Sequence, residues 1–242
     1  MSSMTFRALS ALLVYPSVDL IAAIPELRAA LDADGLVPAA ERVGLGPLLD
    51  EIEVGDIYDL QEAYGLLFDR SRALSLHLFE HIHGESRDRG QAMVDLLSMY
   101  QKAGLSPHAG ELPDFLPLFL EFLSTQPLDA ARSHLAQTAH ILEAIGERLR
   151  KRRSSYAAIF DALCALAQAE PDRADVDALM QGPDPDPMDL VALDAAWEEE
   201  EVRFGPGAQS ATGSCSGDGL IARMRHARRA VQNETAATRG GQ

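Results

Sequence analysis

Apolar residues recur along this chain at spacings of three and four, and period-two alternation is scarce, so the pattern predicts helices. Ile57, Leu60, Tyr64, Leu67 and Phe68 fall on one helical face, and Met93, Leu96, Leu97 and Tyr100 on another. The second of these has defined ends: Ser86 as N-cap, Asp88 in the first turn and Gly104 just past the last. Leu128, Ala131, Leu135, Leu142, Ile145 and Leu149 repeat at three, four and seven and predict one long helix. Tyr156, Ile159, Phe160 and Leu163 form a further stripe behind two candidate caps, Ser154 and Ser155. Shorter helices are expected over 5–14, 18–31, 38–51 and 115–123, with Pro25 kinking or restarting the second. The expectation is an all-α fold, a single helical-bundle domain of about eight helices spanning residues 1–169.

After residue 169 the pattern changes. Residues 170–204 hold twelve acids and two bases, and a Gly-Pro-Asp-Pro-Asp-Pro stretch starting at Gly182 excludes continuous helix or sheet. A short helix around 190–201, carrying Trp197, is the one structured piece expected there. Residues 205–242 are rich in Gly, Ser and Ala with five bases and two acids. Residues 170–242 are therefore expected to form a flexible tail, acidic first and mildly basic last.

The whole chain has 242 residues, 37 acids against 21 bases and a net charge of −16. Such a surface repels phosphate, which argues against nucleic acid and in favour of basic partners. The cysteines are Cys164 and Cys215, too few for a disulfide framework or a four-thiolate zinc site. No apolar run approaches the roughly 20 residues that span a bilayer. The apolar start, 8–14, reads as a core helix, which leads to the expectation of a cytoplasmic protein without direct membrane insertion.

Three constellations carry candidate chemistry. The first runs from His77 through His81, His83, Glu85, Arg87 and Asp88 to Arg89. His77 and His81 stand four apart, so a metal-dependent hydrolase using His77, His81, His83 and Glu85 is one alternative. A polar junction between two helices is another, and a recognition surface a third. As a recognition surface, His81 and His83 sit among Glu80, Glu85 and Asp88, which are expected to favour their protonated forms. The second constellation is the nearly all-apolar helix at 115–123, preceded by Glu111 and Asp114 and bearing Phe119, Glu121 and Phe122. Such a helix either sits centrally in the core or lines an apolar groove with those acids at its rim. The third, Arg148, Arg150, Lys151, Arg152 and Arg153, closes the long helix, where cations complement the dipole. No phosphate-binding loop or nucleophile elbow occurs, and Cys164, between Leu163 and Ala165, reads as a small core residue.

Three segments together resemble the nitrate reductase molybdenum cofactor assembly chaperones, also called the delta subunit of respiratory nitrate reductase, within the wider class of dedicated molybdoenzyme chaperones. They are Gly55-Asp-Ile-Tyr-Asp-Leu-Gln-Glu-Ala-Tyr64, the run Leu78-Phe-Glu-His-Ile-His-Gly-Glu-Ser-Arg-Asp-Arg-Gly-Gln-Ala-Met93, and Glu111-Leu-Pro-Asp-Phe-Leu-Pro-Leu-Phe-Leu-Glu-Phe122. The resemblance covers roughly residues 5–168. It implies an all-helical chaperone without catalysis, which binds the N-terminal segment of the reductase catalytic subunit. It further implies that the client is held in the cytoplasm while the molybdenum cofactor is inserted, with no cofactor stably bound to the chaperone itself. A monomer or weak homodimer is expected: the resemblance implies that helices can be exchanged between protomers, and the Pro-rich linker near Gly182 would allow it. The candidate client-binding residues are Tyr64 and Phe68; His81, His83, Glu85, Arg87 and Asp88; and Glu111, Asp114, Phe119, Glu121 and Phe122.

Overall fold

The computed structural model describes residues 3–83, 87–107 and 110–182 with positions 184, 186 and 189, the side chains of His83 and Arg87 excepted. Glu85, the candidate cap Ser86, Trp197, Cys215 and the residues from 190 onward lie outside the described residues. The described chain is helical: α1 (Met4–Leu12), α2 (Val18–Asp34), α3 (Ala39–Val54), α4 (Ile57–Phe68), a 3₁₀ turn (Arg72–Leu74), α5 (Glu80–His83), α6 (Arg87–Lys102), α7 (Leu116–Ser124), α8 (Leu128–Ala136), α9 (Ala139–Lys151), α10 (Ala157–Ala167) and α11 (Arg173–Met180). Among the described residues the sheet-like pairing is one antiparallel bridge, His77 with Phe115.

The local chemistry explains many of the boundaries. Ser17 accepts from the Leu20 amide and starts α2, Asp56 caps the Tyr58 amide of α4, and Asp172 caps Ala174 in α11. Gly35 takes a left-handed conformation, φ 59°, to end α2. Gly104 does the same after α6, at φ 80°, while the Leu105 amide returns to the Tyr100 carbonyl.

The expected elements hold with three corrections. The helix expected to kink or restart at Pro25 runs unbroken from Val18 to Asp34, and α3 likewise runs through Pro47. The helix expected to be continuous from Leu128 to Leu149 is two helices, divided at Gln137 and Thr138. There the Gln137 and Thr138 amides bond three residues back, and the buried Thr138 hydroxyl donates to the Leu135 carbonyl. That hydroxyl competes with the regular ladder, which an apolar-period count does not register. Third, the helical fold passes the boundary at residue 169. α11 packs on α9 and buries Val176, so the acidic segment begins as part of the body.

The core is organised by α7 and α10. α7 is apolar on nearly every side and packs between α1 and α8, with Leu116, Phe119, Leu120, Phe122 and Leu123 buried. The Ser10 hydroxyl of α1 donates to the Pro117 carbonyl at 2.8 Å, tying the two helices. α10 packs against α3, α8 and α9, and Leu142 and Ile145 of α9 are fully buried. The 3₁₀ turn lies against α4, α5 and α9.

Candidate functional site

The polar run between α4 and α6 is built around Asp114, whose side chain is 0% exposed. Its Oδ1 lies 3.2 Å from Nδ1 of His77 and its Oδ2 accepts from the Phe79 amide at 3.1 Å. The backbone doubles this clasp: the Leu78 amide donates to the Asp114 carbonyl, and the Leu116 amide to the Leu76 carbonyl at 2.8 Å. The hydrogen bond to Asp114 raises the His77 pKa above its ordinary value, against the lowering effect of burial. His77 also packs its ring on Phe115, with centroids 5.4 Å apart. The structure thus places Asp114 inside the fold and not at a rim, because the Phe79 amide and the His77 imidazole need a buried side-chain acceptor there.

His81 is pinned separately. Its Nε2 lies 2.8 Å from the Ser75 carbonyl, and burial pushes its pKa down, with Arg148 nearby acting in the same direction. The expectation that surrounding acids favour its protonated form is therefore overturned: desolvation outweighs Glu80 and Asp114. His77 and His81 each commit one ring nitrogen to a different partner, the Asp114 carboxylate and the Ser75 carbonyl. Among the described residues no group of three His, Cys, Asp or Glu side chains is arranged to hold a metal ion. The hydrolase alternative, which also calls on His83 and Glu85, gains no support.

The other candidate residues divide by burial. Phe119 and Phe122 are core residues, Phe122 lying against Tyr100 with centroids 5.0 Å apart. Tyr64 and Phe68 are buried in an aromatic cluster with Tyr156, and the Tyr64 hydroxyl donates to the Leu13 carbonyl at 2.8 Å. These four are closed to a client in this conformation, since their apolar area is already covered. Glu111, Glu121 and Asp88 are exposed; Arg89 pairs with Glu80 at 3.2 Å. The closing basic cluster is largely spent: Arg148 is buried, Arg150 pairs with Glu143 and Asp161, and Arg152 pairs with Asp184.

What the structure exposes is a different surface, around α4 and the turn between α1 and α2. Tyr15 (52% exposed), Val18 (66%), Val54 (84%) and Tyr58 (77%) are large apolar residues left in solvent. The Tyr15 ring stands edge-on to Tyr64 at 5.5 Å, and Gln61 Nε2 donates to the Pro16 carbonyl at 2.9 Å. Tyr58, one turn before Gln61, therefore adjoins that turn. Residues 15–69 carry twelve acids and two bases, and both bases are occupied, Arg28 by Asp50 and Glu53 and Arg42 by Asp32. Periodicity reading passes over Tyr58 because it selects the buried stripe. The available signal was an aromatic on the polar face, beside Asp59 and Glu62.

A cleft of about 470 Å³ lies between α3, α9 and α10, lined by Glu41, Glu143, Arg150, Asp161 and Cys164 among others. Its carboxylates Glu143 and Asp161 share Arg150. Burial pushes the Cys164 thiol up to about 12, so it stays protonated at neutral pH and is a poor nucleophile.

A helical scaffold that packs away His77, His81 and Cys164, and leaves Tyr15, Val18 and Tyr58 in solvent on an acid-rich stretch, has the make-up of a protein-binding protein. The chain belongs to the nitrate reductase delta subunit family, whose model matches residues 21–162. It is 44% identical over 197 residues to the nitrate reductase molybdenum cofactor assembly chaperone NarJ of Escherichia coli K12, covering 81% of this chain and 82% of that protein. It is 48% identical over 148 residues to the probable assembly chaperone NarW of the same organism, covering 61% and 64%. With the probable NarJ of Bacillus subtilis it shares 32% identity over 180 residues, 73% of this chain and 95% of that one. Among the described residues no helix is long and apolar enough to cross a membrane.

Proposed function

We propose that this chain is a dedicated chaperone for the catalytic subunit of a respiratory nitrate reductase. It binds the N-terminal segment of that subunit and holds it in the cytoplasm while the molybdenum cofactor is inserted, before attachment to the membrane partner. The chaperone retains no cofactor of its own and works as a monomer or weak homodimer.

One observation carries the placement of the client: Tyr15, Val18 and Tyr58 stand exposed on a stretch whose acids exceed its bases by ten and whose two bases are already paired. An amphipathic, positively charged segment lays its apolar side on those rings and its cations among Asp19, Asp56, Asp59 and Glu62. Apolar contact supplies most of the affinity, and the charges steer the approach and select against acidic segments.

The experiment is titration of a fluorescent peptide from the N-terminus of the catalytic subunit. Tyr15→Ser with Tyr58→Ser is expected to weaken binding about tenfold or more while the chain stays folded, the melting temperature falling by a few degrees for the lost contact of Tyr15 with Tyr64. Wild-type affinity in that double variant refutes the placement, and no binding to the wild-type chain refutes the client.

A further inference from the structure

α11 is fastened to the body by few apolar contacts and several arginines. Val176 is its buried residue. Arg173 pairs with Glu147 at 2.8 Å and, just past the helix, Asp184 pairs with Arg152. Arg148 of α9 is the deepest fastening. It is buried, its Nη2 donates to the Leu179 carbonyl at the end of α11 at 2.6 Å, and its Nη1 donates to the Ala73 carbonyl in the 3₁₀ turn at 2.9 Å. Breakers stand on both sides: Gln168 at φ 50° with Pro171 before the helix, and Gly182 after it.

The two arms of one guanidinium thus join α11 to a turn that itself packs against α4 and α5. The same turn leads directly into Ser75, whose carbonyl holds His81 and whose hydroxyl accepts from the His77 amide at 3.1 Å. If α11 lifts, Arg148 loses an acceptor while remaining among buried groups, and it must reorient toward water. That reorientation removes the support of the Ala73 carbonyl and loosens the turn that backs α4.

We propose that α11 is a releasable strap whose seating on α9, transmitted by Arg148 through the 3₁₀ turn, keeps the α4 surface in its binding form. The effect on client affinity rests on the client surface assigned above; the mechanical link does not. A basic partner that draws the acidic segment after residue 170 away from α9 therefore unlatches the client surface. By reciprocity, a bound client tightens α11.

The test is amide hydrogen exchange, read by mass spectrometry, on the full chain and its Val176→Asp variant. Exchange over residues 57–81 is expected to rise about fivefold or more in the variant, with residues 4–12 and 116–124 unchanged. Free exchange of α11 with wild-type rates over 57–81 overturns the strap. If Val176→Asp disturbs the whole fold, the Arg152→Gln, Arg173→Gln double variant carries the same comparison with the same two outcomes. Adding the client peptide to the wild-type chain reads the link from the other end, with α11 exchange expected to slow about threefold or more. A peptide whose binding is weakened by Tyr15→Ser with Tyr58→Ser, and which binds wild type without slowing α11, overturns the strap; one whose binding ignores that double variant refutes the client surface instead. A peptide that fails to bind refutes the client assignment, and the exchange comparison over 57–81 still decides the strap.

Discussion

Replacing Asp114 by alanine is expected to destabilise the fold by about 3–5 kcal/mol, a large part of the ~5–15 kcal/mol that holds a domain together. The magnitude follows from its partners. The Phe79 amide would lose its acceptor inside the fold, a loss of about 1–3 kcal/mol, and the charged hydrogen bond to His77 is worth about 1.5–3 kcal/mol. Asp114→Asn keeps an acceptor for the amide and loses the charge, so about 1–2 kcal/mol is expected. Urea denaturation followed by circular dichroism measures both. The pH dependence isolates the His77 contribution. The folded pKa of His77 lies above its ordinary value, so its contribution is fully present below about pH 6.5 and is lost as pH rises through the folded pKa. The gap between wild type and Asp114→Asn is therefore wider at pH 5.5 than at pH 8.5. His81, whose pKa is lowered by burial, opposes folding as pH falls, but it does so in both proteins and largely cancels in the difference. An alanine variant within about 1 kcal/mol of wild type, or a gap independent of pH, would show that Asp114 and His77 do not form the clasp described.

Leu142→Asp puts an unpaired carboxylate at a fully buried position of α9 and is expected to cost several kcal/mol, enough to abolish the cooperative thermal transition. Phe119→Ala and Phe122→Ala open cavities beside Tyr100 and α1, and each is expected to lower stability by about 3–5 kcal/mol in calorimetry. Client-peptide affinity in whatever fraction remains folded should match wild type, because neither ring reaches the surface. Gly55→Ala would set a Cβ 2.7 Å from the Glu51 carbonyl oxygen and 3.0 Å from Leu60, so a loss of about 1–3 kcal/mol is expected from chemical denaturation.

The helical class, the burial of the apolar stripes in α4, α9 and α10, and the C-terminal end of α6 at Gly104 were legible in the sequence, because each depends on periodicity or on a local cap. Leu60, Tyr64 and Phe68 face inward together for the same reason that they stand three and four apart. The break at Thr138 was not legible, since it turns on one hydroxyl choosing a backbone acceptor. The functional side chains were legible as types and not as places. An aspartate between Pro113 and Phe115 reads equally well as a surface acid or as a buried acceptor, and only the antiparallel pairing of His77 with Phe115 decides that it faces inward. Likewise two histidines four apart suit a shared ligand on a continuous helix, but the chain enters α5 between them and sends each ring to a different partner. The exposed face of Tyr15 and Tyr58 comes from two segments more than 40 residues apart, joined by Gln61 and Pro16. Local pattern fixes which residues are apolar; which of them remain uncovered depends on how the helices pack, and that is a property of the tertiary structure alone.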